Sequence, residues 1–238
     1  QQRSSAASDV YKRQDRNGEI LCLRPEGTAG LVRALITNGL MNDEIKKFFY
    51  LGPMFRYERP QKGRKRQFFQ AGAELIGEES TKSDVEIILL AKTILEKLNV
   101  KYTLEINYLG KEDSLNSYRS YLRKYLQNFK DELSEKVYSR LQRNPIRAID
   151  SKDSNIQEIF KKASDISDFL KKEEKESFER TIKSLKDLKI DFNLNKNLVR
   201  GLDYYTGTVF EFSVDGLGAQ NAVIGCLLYT SDAADDRC

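Results

Sequence analysis

The sequence predicts an α+β fold in which antiparallel strands are flanked by helices and interrupted by a helical insertion. Three observations favour this class. Two apolar, strand-like runs flank a strongly basic turn at residues 56–66. Residues 111–189 contain no glycine and repeat apolar side chains at helical spacing. A second hairpin signal, Asp215-Gly216, follows an alternating strand at 208–214 and leads into residues 220–224.

The composition excludes several functional classes. Forty basic residues balance 36 acidic ones, so contact with nucleic acid must come from local patches. The chain has no histidine, which excludes Ser-His-Asp and Cys-His catalysis and histidine-ligated zinc within it. Three cysteines, Cys22, Cys226 and Cys238, lack metal-ligand spacing and cannot all pair, which indicates a reducing compartment. Without a membrane-length apolar run or a signal-peptide pattern, we expect a cytoplasmic protein.

The first ordered elements are predicted to be a strand, a turn and a helix. Residues 20–23 have strand character and end at the turn formed by residues 24–27. Thr28 is then a candidate N-cap for a helix that Gly39 closes. The basic hairpin follows this helix.

Helices dominate the middle of the chain. Ser83, with a glutamate three residues later, has the capping-box pattern and predicts a helix to about Leu98. Residues 102–108 are predicted to form a strand, and residues 111–189 a helical insertion in which Pro145 ends one helix. Chance amphipathic helices in a linker are the alternative, but repeated apolar stripes need a surface to pack against.

The basic hairpin carries an unusual set of polar side chains. Arg56 and Glu58 are two residues apart near the end of a strand, so they face the same side. Gln70, Gly72 and Glu74 repeat that spacing on the return strand. A solvated basic turn is the simpler explanation, but it leaves an inward carboxylate without a partner, which is costly. The pattern favours a site for an anionic ligand that also carries an amino or cationic group.

Three segments carry a family resemblance. Residues 55–68, with Phe-Arg, an acid two residues on, Arg-Pro-Gln-Lys-Gly-Arg and Arg-Gln-Phe, resemble motif 2 of class II aminoacyl-tRNA synthetases in its histidyl version. Residues 23–29, Leu-Arg-Pro-Glu-Gly-Thr-Ala, resemble the amino-acid-binding loop of that class. Residues 198–207, Leu-Val-Arg-Gly-Leu-Asp-Tyr-Tyr-Thr-Gly, resemble the signature peptide of the histidyl-tRNA synthetase family. The resemblance implies a class II synthetase-like antiparallel β-sheet flanked by helices, with a helical insertion domain.

The resemblance also implies individual roles. Arg56 and Arg200 would be catalytic, because positive charge must gather at the α-phosphate of ATP when the histidine carboxylate attacks it. That carboxylate is already ionised at neutral pH, so the reaction needs no general base. The implied ATP-binding residues are Arg56, Glu58, Arg64 and Phe68. The implied histidine-binding residues are Glu26, Gly27, Thr28, Gln70, Glu74, Tyr204 and Tyr205.

The implied function is ATP-dependent activation of L-histidine to histidyl-adenylate and its transfer to tRNA(His). ATP with Mg²⁺, L-histidine and tRNA(His) would be the partners of a cytoplasmic homodimer. One alternative is the synthetase-like regulatory subunit of ATP phosphoribosyltransferase, which typically lacks the insertion and has lost the catalytic arginines. Another is a general RNA-binding module, which would not explain the inward-facing Glu26, Gln70 and Glu74.

The resemblance divides the chain into five segments. Residues 15–110 and 190–225 would be two parts of a catalytic core, and residues 111–189 the helical insertion domain between them. Residues 1–14 and 226–238 resemble translated sequencing-adapter DNA, so we expect non-native tails there. Motif 1, motif 3 and the anticodon-binding domain are not found in the sequence. We therefore expect this fragment to be inactive by itself.

Overall fold

A computed structural model describes residues 11–41, 45–57, 65–77, 80–149, 151, 153–199, 206–217 and 221–226. The chain divides into two compact units. The first comprises Gln1–Ser83, with Asp215–Asn221 and Ser231–Cys238; the second comprises Asp84–Val214, with Ala222–Thr230. None of the described helices is long and apolar enough to cross a membrane.

The described part of the first unit is built from two hairpins and a helix. Its elements are β1 (Lys12–Gln14), β2 (Ile20–Cys22), α1 (Thr28–Thr37), β3 (Lys46–Phe55) and β4 (Gln67–Ile76). β1 pairs with β2 and β3 with β4, both antiparallel. β1 was not predicted, because a three-residue strand is too short to show an alternating pattern.

The β3–β4 hairpin confirms the predicted pair of strands around the basic turn, although residues 58–64 of that turn lie outside the described residues. Burial alternates from residue to residue along most of both strands, and the ladder pairs ten residues on each. One face carries Phe48, Tyr50, Gly52 and Met54 of β3 opposite Glu74, Gly72, Gln70 and Phe68 of β4. The other face is apolar and open, with Phe49, Leu51 and Phe69 exposed.

Both predicted helix caps were placed on the wrong residue. α1 begins at Thr28 itself, and the Glu26 carboxylate accepts hydrogen bonds from the N–H groups of Thr28 (2.7 Å) and Ala29 (3.0 Å). A carboxylate just before the helix satisfies these unpaired donors and complements the helix dipole, which leaves the Thr28 hydroxyl available elsewhere. The second helix, α2 (Thr81–Lys97), begins two residues before Ser83, whose N–H instead donates to Ser80 Oγ at 3.3 Å.

The second unit contains a four-stranded sheet and four helices that follow α2. Its further elements are β5 (Thr103–Tyr108), α3 (Glu112–Gln127), α4 (Glu135–Arg143), α5 (Ser154–Phe160), α6 (Lys172–Asp187), β6 (Asn193–Leu194), β7 (Thr208–Ser213) and β8 (Ala222–Gly225). The strand order is β6-β5-β7-β8, parallel only between β5 and β6. The pairing of β7 with β8 confirms the hairpin predicted at Asp215-Gly216.

This unit has apolar clusters in two places: between helices and the sheet, and among the helices between β5 and β6. Side chains from α2, the sheet and α6 form one apolar cluster, which includes Ile88, Leu104, Ile106, Leu185 and Phe212. The helices between β5 and β6 form further clusters lined by aromatic rings. α4 ends before Pro145, as predicted. The apolar stripes predicted for residues 111–189 are therefore packed: those of α3 to α5 mainly against one another, and that of α6 against α2 and the sheet.

A single carboxylate joins the two ends of this module. Glu174 is 3% exposed and accepts hydrogen bonds from the backbone N–H groups of Lys111 (2.5 Å) and Lys171 (2.6 Å) and from Ser114 Oγ (2.6 Å). Burial alone would raise the pKa of Glu174, but these three hydrogen bonds outweigh it and lower the pKa. Glu174 thus satisfies unpaired donors at the starts of both α3 and α6.

We expect Glu174→Gln to destabilise the second unit by about 3 kcal/mol at neutral pH, because an amide cannot accept all three bonds. Since the folded-state pKa is lowered, the stability contributed by Glu174 is present at neutral pH and is lost as pH falls through that pKa. Thermal melts at pH 7 and pH 3 would measure both effects. Glu173→Gln, at an exposed neighbour, is the control. Equal melting temperatures for the two variants at pH 7 would contradict the role of Glu174.

Candidate functional site

Three hydrogen bonds join the loop before α1, residues 24–27, to the end of β3 and to Arg56, which follows it. Arg24 Nε donates to Pro53 O at 2.8 Å, and Phe55 N donates to Arg24 O at 2.9 Å. Arg56 Nε donates to Pro25 O at 2.8 Å. These bonds bring the residues before α1 against the end of the hairpin, although the two segments are about 30 residues apart in the sequence.

Arg56 is held by two further contacts. Its backbone N–H donates to Arg66 O at 2.9 Å, which continues the ladder beyond β3. The carbon of its guanidinium lies 4.9 Å from the ring centroid of Phe68, a cation–π distance. Within the described ranges, no acceptor hydrogen-bonds to its two terminal nitrogens. Arg56 is therefore an oriented cation whose two terminal nitrogens can donate to a phosphate or carboxylate.

The opposite end of the same sheet face carries a hydrogen-bonded cluster of three side chains. Thr28 Oγ1 donates to Glu74 Oε1 at 2.6 Å and lies 3.2 Å from the Tyr50 hydroxyl. Glu26 faces this cluster from the start of α1, where it caps the helix. Two carboxylates and two hydroxyls thus meet on one face of the hairpin.

This environment shifts the pKa values of two groups. Burial raises the pKa of Glu74, and the nearby Glu26 carboxylate raises it further, whereas the Thr28 and Tyr50 hydroxyls act against the shift. Burial and the neighbouring carboxylates also raise the pKa of Tyr50, so its hydroxyl stays protonated. A partly buried carboxylate with a raised pKa favours a cationic or N–H donor ligand, which would stabilise its charge.

Gln70 supplies an acceptor between the two ends. Its Oε1 is buried and has no hydrogen-bond partner within the described structure. Most buried polar atoms in proteins are paired, so an unpaired one next to a polar cluster indicates a position that a ligand fills. Along β4, Phe68, Gln70 and Glu74 then form a row that runs from the arginine to the carboxylate cluster.

The structure brings together some of the predicted site residues and leaves others undescribed. Thr28 and Glu74 are in contact, as are Arg56 and Phe68, and Gln70 lies between these pairs on the same strand. Gly27 precedes α1 directly, beside Tyr50. The remaining predicted residues, Glu58, Arg64, Arg200, Tyr204 and Tyr205, lie outside the described residues.

Tyr50 is a member of the cluster that the sequence did not single out. It lies within an apolar run, where a tyrosine is usually half-buried core. A usable signal was the register: strands paired around the basic turn place Tyr50 opposite Gly72, on the face that carries Gln70 and Glu74.

Comparisons with known proteins identify the family of this chain. A family model described as histidyl-tRNA synthetase matches residues 1–225. The chain is 46% identical over 219 residues to the histidine–tRNA ligase of Acaryochloris marina, which covers 91% of this chain and 51% of that protein. It is 44% identical over 220 residues to that of Francisella tularensis subsp. novicida, which covers 91% of this chain and 52% of that protein. The chain spans about half the length of these curated relatives.

Solved structures show the same relationship. Apo histidyl-tRNA synthetase from S. aureus superposes with a TM-score of 0.71 at 35% identity, over 87% of this chain and 49% of that chain. An ATP phosphoribosyltransferase regulatory subunit/histidyl-tRNA synthetase from Bacillus halodurans gives a TM-score of 0.60 at 21% identity, over 90% of this chain and 59% of that chain, and shows the shared fold alone. The fold is thus the α+β class II synthetase-like fold expected from the sequence. The chain belongs to the histidyl-tRNA synthetase family.

Proposed function

We propose that the protein containing this chain activates L-histidine with ATP to histidyl-adenylate and transfers the histidyl group to tRNA(His). The observation that carries this proposal is the order of groups along β4. An arginine stacked on Phe68 lies at one end, an unpaired acceptor on Gln70 lies in the middle, and the Glu74 cluster lies at the other. Histidyl-adenylate presents its adenine and phosphate, its ammonium and its imidazole in the same order.

The histidine end uses acceptors at two points. Gln70 Oε1 would accept from the substrate ammonium, with Glu26 and Thr28 at the start of α1 as further acceptors. Gly27 would let the backbone approach the ligand closely. Glu74 would accept from an imidazole N–H, and its buried charge would be stabilised by that donor. Tyr204 and Tyr205 would complete recognition of the ring.

The ATP end uses positive charge and an aromatic surface. Arg56 would bind the α-phosphate and the histidine carboxylate, so that the carboxylate oxygen attacks phosphorus in line and pyrophosphate leaves. Arg200 would add a second cation at the same phosphate, which gains charge in the transition state. Phe68 would stack on adenine, Glu58 would lie near its exocyclic amine, and Arg64 would bind the terminal phosphates.

Magnesium would enter as part of the substrate. The described residues include no group of three His, Cys, Asp or Glu side chains placed to hold a metal ion. Mg²⁺ prefers oxygen ligands, keeps several waters and is commonly bound through substrate phosphates. We therefore propose ATP with Mg²⁺ as the substrate, with the ion held mainly by phosphate oxygens.

Histidine-dependent exchange of pyrophosphate into ATP tests this proposal in a completed gene that carries this segment. We expect exchange with histidine and none with the other amino acids, followed by charging of tRNA(His). Binding of histidine without exchange would instead support the regulatory-subunit alternative. Binding of RNA without either property would support the general RNA-binding module.

We propose that the helical module at residues 111–189 contacts tRNA. Its helices carry exposed lysines such as Lys172, Lys175, Lys183 and Lys186, which suit contacts with phosphates. Changing these four residues to glutamine should reduce tRNA charging at least about tenfold at 0.15 M salt while histidine-dependent exchange stays within about twofold. Glutamine at the acidic positions Glu173, Glu176 and Glu179 is the matched control. Equal losses in charging and exchange would contradict tRNA binding by this surface.

A further inference from the structure

We infer that Tyr50 is a specificity-determining residue of the proposed histidine site, whose ring forms a wall of the pocket and whose hydroxyl supports the Glu74 carboxylate. This inference rests on the proposed function, and it assigns to β3 a role that none of the three family motifs covers. Its two parts, the wall and the hydroxyl, stand on separate contacts.

The wall follows from two glycines that flank the ring. A Cβ atom built on Gly72, the cross-strand partner of Tyr50, would overlap the tyrosine ring. A Cβ atom built on Gly27, in the loop before α1, would overlap the same ring. Glycine inside a strand weakens the strand unless something must approach its backbone closely. Here the Tyr50 ring makes that approach and fixes the width of the site between the loop and the sheet.

The role of the Tyr50 hydroxyl follows from the number of protons that the Thr28 and Tyr50 hydroxyls can donate. The Thr28 hydroxyl has one proton, and it donates that proton to Glu74 at 2.6 Å. In the 3.2 Å contact between Tyr50 and Thr28, the tyrosine hydroxyl must therefore be the donor. Tyr50 thus acts on Glu74 through Thr28: its hydroxyl donates to the threonine oxygen and polarises the O–H that donates to Glu74, which favours the ionised carboxylate against burial and Glu26. The donors aimed at the cluster thus favour the ionised carboxylate.

Ionisation of Glu74 matters because the two states of a carboxyl group recognise different ligands. A carboxylate accepts from an imidazole N–H, whereas a carboxylic acid offers a proton of its own. Within the described residues, the titratable groups acting on Glu74 are Glu26 and Tyr50. Glu26 disfavours the charged state and Tyr50 favours it, so the Tyr50 hydroxyl should set the lower pH limit of histidine binding.

Tyr50→Phe tests the hydroxyl while keeping the ring. In the full-length enzyme, we expect the KM for histidine in pyrophosphate exchange to rise about threefold at pH 8.5 and at least about tenfold at pH 6. The KM for ATP should stay within about twofold. Protonation of free histidine affects the variant and the unaltered enzyme equally, so it cancels when the KM of the variant is divided by that of the unaltered enzyme at each pH. Tyr102→Phe, which removes a half-buried phenol hydroxyl in the other unit, is the control.

Tyr50→Ala tests the wall. Removing the ring should widen the site beside Gly27 and Gly72, so the preference for histidine over Nτ-methylhistidine should fall at least about tenfold. A purely structural tyrosine would lower the melting temperature without changing this preference or the pH dependence.

The outcomes separate the inference from the proposed function. If the unaltered enzyme shows no histidine-dependent exchange, the proposed function fails. If it shows exchange but Tyr50→Phe gives the same KM ratio at pH 6 and pH 8.5, Tyr50 does not support Glu74. If Tyr50→Ala keeps the original preference between the two amino acids, its ring does not set the width of the site.

Discussion

Under the proposed function, Arg56→Ala in the full-length protein is expected to reduce histidine-dependent pyrophosphate exchange by about 10²–10³, because it would remove a preorganised cation from the phosphate in the transition state. The preorganisation is visible in the structure: the Nε atom is fixed to Pro25 O, and the guanidinium lies over Phe68. No conformational search is then needed when charge develops on the phosphate. Arg200→Ala should have an effect of similar size.

Arg66→Ala is a matched control for Arg56→Ala. Arg66 lies in the same hairpin and its guanidinium carbon is 4.4 Å from the ring centroid of Tyr57, so it too is a cation stacked on an aromatic ring. We expect its loss to change exchange by less than about tenfold. Near-normal exchange in Arg56→Ala, with a melting temperature close to that of the unaltered enzyme, would remove Arg56 from the catalytic role.

Glu74→Gln is expected to raise the KM for histidine by about 10² while the KM for ATP changes little. The substitution keeps the shape and the oxygen that Thr28 contacts but removes the charge that would pair with the imidazole edge. Exchange measured across separate histidine and ATP titrations would show the difference. A parallel rise in both constants would make Glu74 a structural residue instead.

Although Glu74→Gln should weaken histidine binding, it should stabilise the unliganded protein. Because burial raises the folded-state pKa of Glu74, ionisation of this group costs stability as pH rises above 4.5, its ordinary value. Glu74→Gln removes that cost, so its melting temperature relative to the unaltered protein should increase between pH 4 and pH 8. A Glu74→Gln variant that is less stable than the unaltered protein but binds histidine equally well would contradict a role of Glu74 in ligand binding.

The sequence by itself determined the secondary structure of the hairpin and which polar residues share one of its faces. Alternation along 67–76 placed Gln70 and Glu74 on one face, and the structure shows that face carrying Thr28 and Tyr50 contacts. Period-2 alternation is a local property, so one strand is enough to reveal it. The helical stripes of residues 111–189 were equally local and proved to be buried.

Only the tertiary structure decided which polar groups form hydrogen bonds with each other. Thr28 has the side chain of an N-cap, but the Glu26 carboxylate occupies that role and directs the threonine hydroxyl to Glu74, 46 residues away. Tyr50 reaches the cluster because Gly72 on the neighbouring strand and Gly27 in a separate loop leave room for its ring. Hydrogen-bond partners and close approaches depend on segments that are distant in the sequence. Local patterns therefore do not show which of several possible donors bonds to a given acceptor.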